Sequence, residues 1–381
     1  MQGTSEPDVF VIAGNILSPL GKTTIENFKN LKQGISGVKE HTDLSISSSP
    51  FFASLFEKDE IFVSDNSHNY TKFEQLLIAS VTDALQQCDV DPKDKKTVLI
   101  ISSTKGNISL LETETYNAEL KARISLSNSA DLISAHFGFA NRPVIISNAC
   151  ISGVLAIITG LRLLRSGQFK NAVIVGADVI SKFIFSGFES FNALSLQLCK
   201  PFDKLRDGLN LGEGAATIIL STDKKYQGNI KVKGGSVSND ANHISGPSRT
   251  GEELAYSIKN AMTDANVEAE DIAFISAHGT ATLFNDEMEA KAIALNGLQS
   301  TPLNSLKGYY GHTLGAAGLI ETVISIQSLK EGVNLPTAGF NELDKDIGVN
   351  LEARELRANA GNFLKTASGF GGCNAAIIAG R

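Results

Sequence analysis

A thiol and two imidazoles suffice for nucleophilic catalysis with proton transfer, and this sequence sets such a group in segments of unusual composition. The β-branched run Val144-Ile145-Ile146 stops at Ser147-Asn148, and Ala149-Cys150 then opens a segment through Arg165 that is too continuously apolar for a surface helix. Cys150 thus heads a buried helix, where the positive end of the helix dipole and unpaired N–H groups favour the nucleophilic thiolate. Read alone, Cys150 is better explained as a small core hydrophobe, since free cysteines are among the most buried residue types. The histidines change that reading. His278 ends a strand in Ser276-Ala277-His278-Gly279-Thr280-Ala281-Thr282, and His312 stands in Gly311-His312-Thr313-Leu314-Gly315-Ala316-Ala317-Gly318, where small residues let backbones approach closely. A Cys/His/His set also suits zinc, but no CxxC or HxxxH ligand pair is present, so no metal is expected.

The elements that must carry these residues repeat. A strand over 9–13 turns at Gly14-Asn15, and Gly21-Lys22-Thr23, which resembles the end of a phosphate-binding loop, lacks the glycine due at Ile16 and reads as a turn into a helix bearing Ile25, Phe28 and Leu31. Residues 36–70 form a polar excursion, a helix carries Phe73, Leu76, Leu77, Val81 and Leu85, a strand covers 97–101, and 103–142 hold one or two helices. In the second half, Thr263-Asp264-Ala265 echoes Thr82-Asp83-Ala84, each followed by a polar loop and a strand, the later one at 272–275. Gly371-Gly372-Cys373-Asn374-Ala375-Ala376-Ile377-Ile378 likewise echoes Gly212-Glu213-Gly214-Ala215-Ala216-Thr217-Ile218-Ile219. Between these landmarks Cys150 and His312 hold matching positions before glycine-containing apolar helices. This implies an α/β chain of duplicated βαβ units, 1–225 and 226–381, stacked about a pseudo-twofold axis with both helix starts at the centre.

Composition narrows the function. With 381 residues, 42% hydrophobic and 20% charged, the chain can bury a large core. A net charge of -7 with scattered basic residues excludes a nucleic-acid footprint. Cys88, Cys150, Cys199 and Cys373 lie far apart without paired spacing, as expected in a reducing cytoplasm. The N-terminal residues lack a basic and apolar leader pattern, and Arg162 interrupts the longest apolar stretch, so no membrane span is expected.

At this point the chain resembles the β-ketoacyl-(acyl-carrier-protein) synthases, condensing enzymes of the thiolase fold. The motifs are Asn148-Ala149-Cys150, Pro201-Phe202-Asp203-Lys204 through Asp207-Gly208 to Leu211-Gly212-Glu213-Gly214, His278-Gly279-Thr280-Ala281-Thr282 with Asp286, Lys307 to His312 with Glu321, and Gly369-Phe370-Gly371-Gly372. The resemblance implies layers in the order α-β-α-β-α and a Cys-His-His acyltransferase acting as a homodimer, with heterodimer formation an alternative. It also implies that substrates arrive on the phosphopantetheine of an acyl carrier protein and that no cofactor is bound. Cys150 would take the acyl group, the backbone N–H groups of Cys150 and Phe370 would hold the oxyanion, and neutral His278 and His312 would donate through Nε2–H to the enolate of decarboxylated malonyl carrier. Each Nδ1 must then face a donor. Lys307, its charge balanced by Glu321, would organise the field, Thr280 and Thr282 would bind the pantetheine arm, and Phe188 and Phe370 would form the pocket wall and gate.

Three departures bear on the substrate. The segment from Ser103 to Cys150 is shorter than in the common fatty-acid enzymes, Asn192 stands where a carrier-binding basic residue is usual, and Asn66 to Phe73 lack a dense basic cluster. The first tilts the expectation from fatty-acid toward specialised polyketide or polyene synthesis, and the other two imply weaker carrier docking or a dedicated carrier partner. The alternatives are a silent partner subunit that sets chain length and a coenzyme-A thiolase in which Cys373 serves as the second cysteine.

Overall fold

A computed structural model describes residues 6–58, 60, 62–63, 69–241, 246–352, 354–356 and 361–381. Its strands are β1 (Phe10–Leu17), β2 (Thr97–Ser102), β3 (Val144–Ile146), β4 (Asn171–Asp178), β5 (Gly214–Ser221), β6 (Lys231–Asn239), β7 (Ile272–Ser276), β8 (Leu303–Asn304), β9 (Asn362–Gly369) and β10 (Cys373–Gly380). The principal helices are α1 (Lys72–Gln86), α2 (Leu126–Phe137), α3 (Ser152–Arg165), α4 (Lys182–Ser190), α5 (Glu252–Ala265), α6 (Leu283–Leu295) and α7 (Ala317–Glu331).

The strands run in the order β8-β7-β9-β10-β6-β1-β5-β4-β2-β3, which reads the same from either end once each strand is matched to the one five places later. The match includes polarity. β2 lies parallel to β3 and β4, β7 lies parallel to β8 and β9, and the remaining pairs within each half are antiparallel. The halves join where Phe10 of β1 pairs with Lys231 of β6. β2 and β5 are buried along their whole length, as β-branched and aliphatic runs must be when helices cover both faces.

Between the two five-stranded sheets lie α3 and α7, whose residues with both sheets' inner faces form the central core. From Ala317 to Ile326 every residue of α7 is buried. The two helices touch through backbone: a Cβ on Gly153 would stand 2.8 Å from Leu319 N, and one on Gly318 would stand 2.6 Å from Val154 N. Helices α1 and α2 cover the outer face of the first sheet, and α5 and α6 that of the second. Five layers result, as the family resemblance implied.

Local signals account for several boundaries. Thr71 and Glu74 form a capping box at the start of α1. Gly21 closes a turn with Ser18 before helix Thr24–Lys32, in keeping with its reading as a turn. The excursion over 36–70 holds more order than its polarity suggested, because Lys39–His41 and Phe51–Ser54 form a small sheet with Leu211–Gly212. The 103–142 segment folds as a 3₁₀ turn (Ile108–Glu112), a short helix (Ala118–Arg123) and α2. Among the described residues no helix is long and apolar enough to cross a membrane.

Candidate active site

The chain leaves β3 and turns sharply at Ala149, whose φ of 44° is rare for a residue with a side chain. Ser152 Oγ closes the turn by accepting from Asn148 N (2.8 Å) and donating to Ala149 O (2.6 Å). Cys150 therefore sits at the head of α3, facing the seam. A Cβ on Gly369 would lie 3.0 Å from Cys150 N, so the backbone leading into Phe370 abuts the nucleophile's own N–H.

From the other half, His312 is strapped along the Leu211–Gly212 strand: its N–H donates to Asn210 O (2.7 Å) and its carbonyl accepts from Gly212 N (3.1 Å). Neighbouring Gly311 has φ 66°, and a Cβ there would stand 2.3 Å from Leu211 O. This places His312 Nε2 2.9 Å from Cys150 Sγ. The His278 ring stands 5.4 Å from that of His312, nearly perpendicular at 83°. Thiol and both imidazoles thus meet where the halves face each other.

Burial is the largest influence on the thiol's protonation. Desolvation pushes Cys150 up to about 12, with Cys373 adding to it and the Lys307 and Lys105 charges opposing. The resting group is a thiol, contrary to the thiolate expected from its place at a helix start. Burial first, then the Lys307 charge, hold both imidazoles well below the ordinary histidine range, with Lys365 adding to the effect, so both rings are neutral. His278 Nδ1 lies 3.5 Å from Lys307 Nζ, a group that can only donate, which puts the ring proton on Nε2. The corresponding requirement for His312 is not met among the described residues, where its buried Nδ1 has no partner.

Lys307 is fully buried and donates to Glu321 Oε1 at 2.8 Å, the expected pair. Glu321 also serves a second buried ammonium, Lys365, at 2.7 Å through Oε2. Lys365 and Glu289 were not singled out in the sequence. Glu289 Oε1 accepts from His278 N (2.8 Å) and Thr366 Oγ1 (2.6 Å), and Oε2 accepts from Gly279 N (2.8 Å). A lysine midway along the strand Asn362–Gly369, and an acid three residues after Asp286 on the same helix, were the signals available. Asp286 holds the loops beside the site, accepting from Phe202 N (2.8 Å) and Thr280 N (2.9 Å), and burial raises it to about 7.

A cavity of about 440 Å³ opens onto Cys150, His278 and His312. Thr280 and Thr282 line it with hydroxyls 2.8 Å apart. Phe370, 38% exposed, contacts Phe188 (5.7 Å) and Phe191 (5.1 Å) over the opening, and Phe188 meets the His312 ring edge-on at 6.2 Å. Asn192 lies on the same wall. Cys373 turns its thiol toward the carbonyls of Phe370 (3.5 Å) and Asn148 (3.8 Å), beneath the nucleophile's turn. Of the stretch read for basic residues, Asn66 to His68 lie outside the described residues.

Comparison with known proteins agrees with this geometry. The family pattern "Beta-ketoacyl synthase, N-terminal domain" matches residues 6–225, and "Beta-ketoacyl synthase, C-terminal domain" matches 230–341. The chain is 29% identical to 3-oxoacyl-[acyl-carrier-protein] synthase 2 of Vibrio cholerae over 98% of its own length and 99% of the relative's. It is 31% identical to the tetracenomycin polyketide synthase ketoacyl synthase alpha subunit of Streptomyces glaucescens, over 64% of this chain and 61% of that one. Among solved structures it superposes on the ishigamide ketosynthase/chain length factor with a TM-score of 0.90 at 26% identity, covering 99% of both chains. Both halves are matched and the relatives align nearly end to end, so the chain belongs to the beta-ketoacyl synthase family.

Proposed function

We propose that this chain performs decarboxylative Claisen condensation with Cys150 as the acyl carrier and His278 and His312 as the donors. The observation that carries the reading is the 2.9 Å approach of His312 Nε2 to Cys150 Sγ, with the His278 ring beside it and Lys307 behind. In the first step Cys150 sulfur attacks the thioester carbonyl of an acyl carrier protein. Its proton passes through His312 to the departing phosphopantetheine sulfur, so acyl-S-carrier and thiol become acyl-S-enzyme and carrier thiol. The N–H groups of Cys150 and Phe370 are the donors to the oxyanion in this reading, supported by the close approach of Gly369, whose added Cβ would lie 3.0 Å from Cys150 N.

Acylation changes what His312 faces. A thioester sulfur has no proton to give, and the neutral ring can then present Nε2–H to a second substrate, as His278 already does. When malonyl carrier loses carbon dioxide, both N–H groups meet the enolate oxygen, and the carbanion attacks the Cys150 thioester carbonyl. The acyl C–S bond breaks, Cys150 leaves as a thiolate that takes up one proton from solvent to restore the thiol, and a 3-oxoacyl carrier departs. Neutral donors suit this step, since a buried imidazolium beside two ammonium groups is disfavoured. Thr280 and Thr282 hold the pantetheine arm, Phe188 and Phe370 bound the acyl pocket, and the reaction uses no resident cofactor.

The carrier protein is the partner this chemistry requires. The outer edge of β3 pairs with no strand among the described residues and lies four residues before Cys150, which supports association through that edge, as a homodimer or with a related subunit. Four free thiols suit a cytoplasmic setting. The product enters fatty-acid or, in our reading, specialised polyketide or polyene synthesis. The test is Cys150→Ala, which abolishes condensation while malonyl decarboxylation persists. Condensation retained in that variant refutes the reading. A silent, chain-length-setting role is supported by the solved relative whose name pairs a ketosynthase with a chain length factor, and turnover by the purified chain alone excludes it.

A further inference from the structure

The second buried lysine has no assigned part in the reaction, and its surroundings are specific. Lys365 is fully buried on β9, and three oxygens surround its ammonium: the carbonyls of Ser276 and Ala277, each at 3.1 Å, and Glu321 Oε2 at 2.7 Å. Removing an ammonium from water costs several kcal/mol, roughly, unless each N–H finds an acceptor. Here two N–H bonds go to the two carbonyls, and the carboxylate oxygen lies at ion-pair distance. Two of those oxygens belong to the residues immediately before His278, and the third belongs to the carboxylate that also holds Lys307. Two carbonyls and a carboxylate form a cage that would otherwise suit a free monovalent cation.

We infer that Lys365 is a tethered cation and a positioning residue: its ammonium fills this cage, clamps the backbone from which the His278 ring hangs, and adds a fixed positive charge behind both imidazoles. The triad of Lys307, Lys365 and Glu321 then carries one surplus positive charge. The other charged or titratable groups around the rings are the Cys150 thiol, Glu289 beneath the His278 backbone, and Lys105 beyond Cys150. Deleting the Lys365 charge removes repulsion toward a second ring proton, so the imidazoles become easier to protonate and the acid limb of activity moves toward neutral pH.

The inference rests on the condensing reading, which wild-type turnover tests separately, so failure of the cation experiment in an active enzyme counts against Lys365 alone. Malonyl-carrier decarboxylation is measured for wild type, Lys365→Ala and the bulkier Lys365→Met in sodium, potassium, methylammonium or choline chloride at fixed ionic strength. Wild type should be indifferent to the cation. Both variants should lose on the order of 100-fold in kcat with little change in KM, as expected for a displaced donor. Their acid limb should rise by about one pH unit. Potassium or methylammonium, but not choline, should restore Lys365→Ala in both rate and acid limb. Wild-type activity that depends on potassium overturns the inference even if neither variant folds. So do folded variants with unchanged decarboxylation, or a loss that no cation relieves and that leaves the acid limb in place.

Discussion

Replacing Glu289 by glutamine tests whether the His278 loop is held by one carboxylate. Glu289 is fully buried and accepts two backbone N–H bonds and one hydroxyl, with no basic side chain among its hydrogen-bond partners in the described residues. An amide offers one accepting oxygen. In its best orientation that oxygen stays on His278 N and Thr366 Oγ1, and the NH₂ is turned against Gly279 N–H. One buried hydrogen bond is lost and two donors are opposed, at a cost of about 1 to 3 kcal/mol. For a chain of this length that lowers Tm by about 1 to 4 °C. Because Gly279 adjoins His278, the imidazole moves with it, and decarboxylation kcat should fall about tenfold in Glu289→Gln. Glu289→Ala frees both N–H groups and should cost about 100-fold, since a displacement near 1 Å is worth that much. Cys150 belongs to the other half, so its alkylation by iodoacetamide should proceed at the wild-type rate in both variants. Folded variants with wild-type decarboxylation would refute the reasoning, as would alkylation slowed in step with decarboxylation.

Two further outcomes follow from the geometry. Gly153→Ala drives a methyl to 2.8 Å from Leu319 N and 3.0 Å from Gly315 O, with backbone on both sides, so it should destabilise the fold by about 1 to 3 kcal/mol, measured by denaturant melts; an unchanged midpoint contradicts the close crossing of α3 and α7. Asp286, raised by burial to about 7 from its ordinary 3.8, takes up a proton on folding between those values, so its proton-linked stability is complete below pH 3.8 and is lost as pH rises through 7. Asp286→Asn lacks that term, so the wild type's advantage in thermal melts should shrink as pH rises from 4 to 7 and level off above; a constant gap counts against the raised carboxyl.

Much of this was legible in the chain. Cys150, His278, His312 and Lys307 stand at element ends, the last three beside glycines, and the internal echoes implied that the two halves would bring them together. The paired strand order confirms that symmetry. The thiol's protonation was not legible, because dipole and capping are local properties of a segment whereas desolvation depends on everything packed over it. Glu289 and Lys365 escaped notice for a related reason: each is recognisable by what surrounds it, and those partners lie 10 or more residues away along the chain. The small sheet in the 36–70 excursion was missed because its third strand, Leu211–Gly212, is remote in sequence.

The glycine crossing of α3 and α7 constrains how such a chain can be rebuilt. With backbone lying against backbone, the interface tolerates neither a larger residue on one helix nor a compensating smaller one on the other, since glycine is already the smallest. Chimeras that join the front of one synthase to the back of another should therefore succeed or fail at this contact before any question of substrate arises. Exchange of outer layers, where side chains rather than main chains meet, leaves it undisturbed.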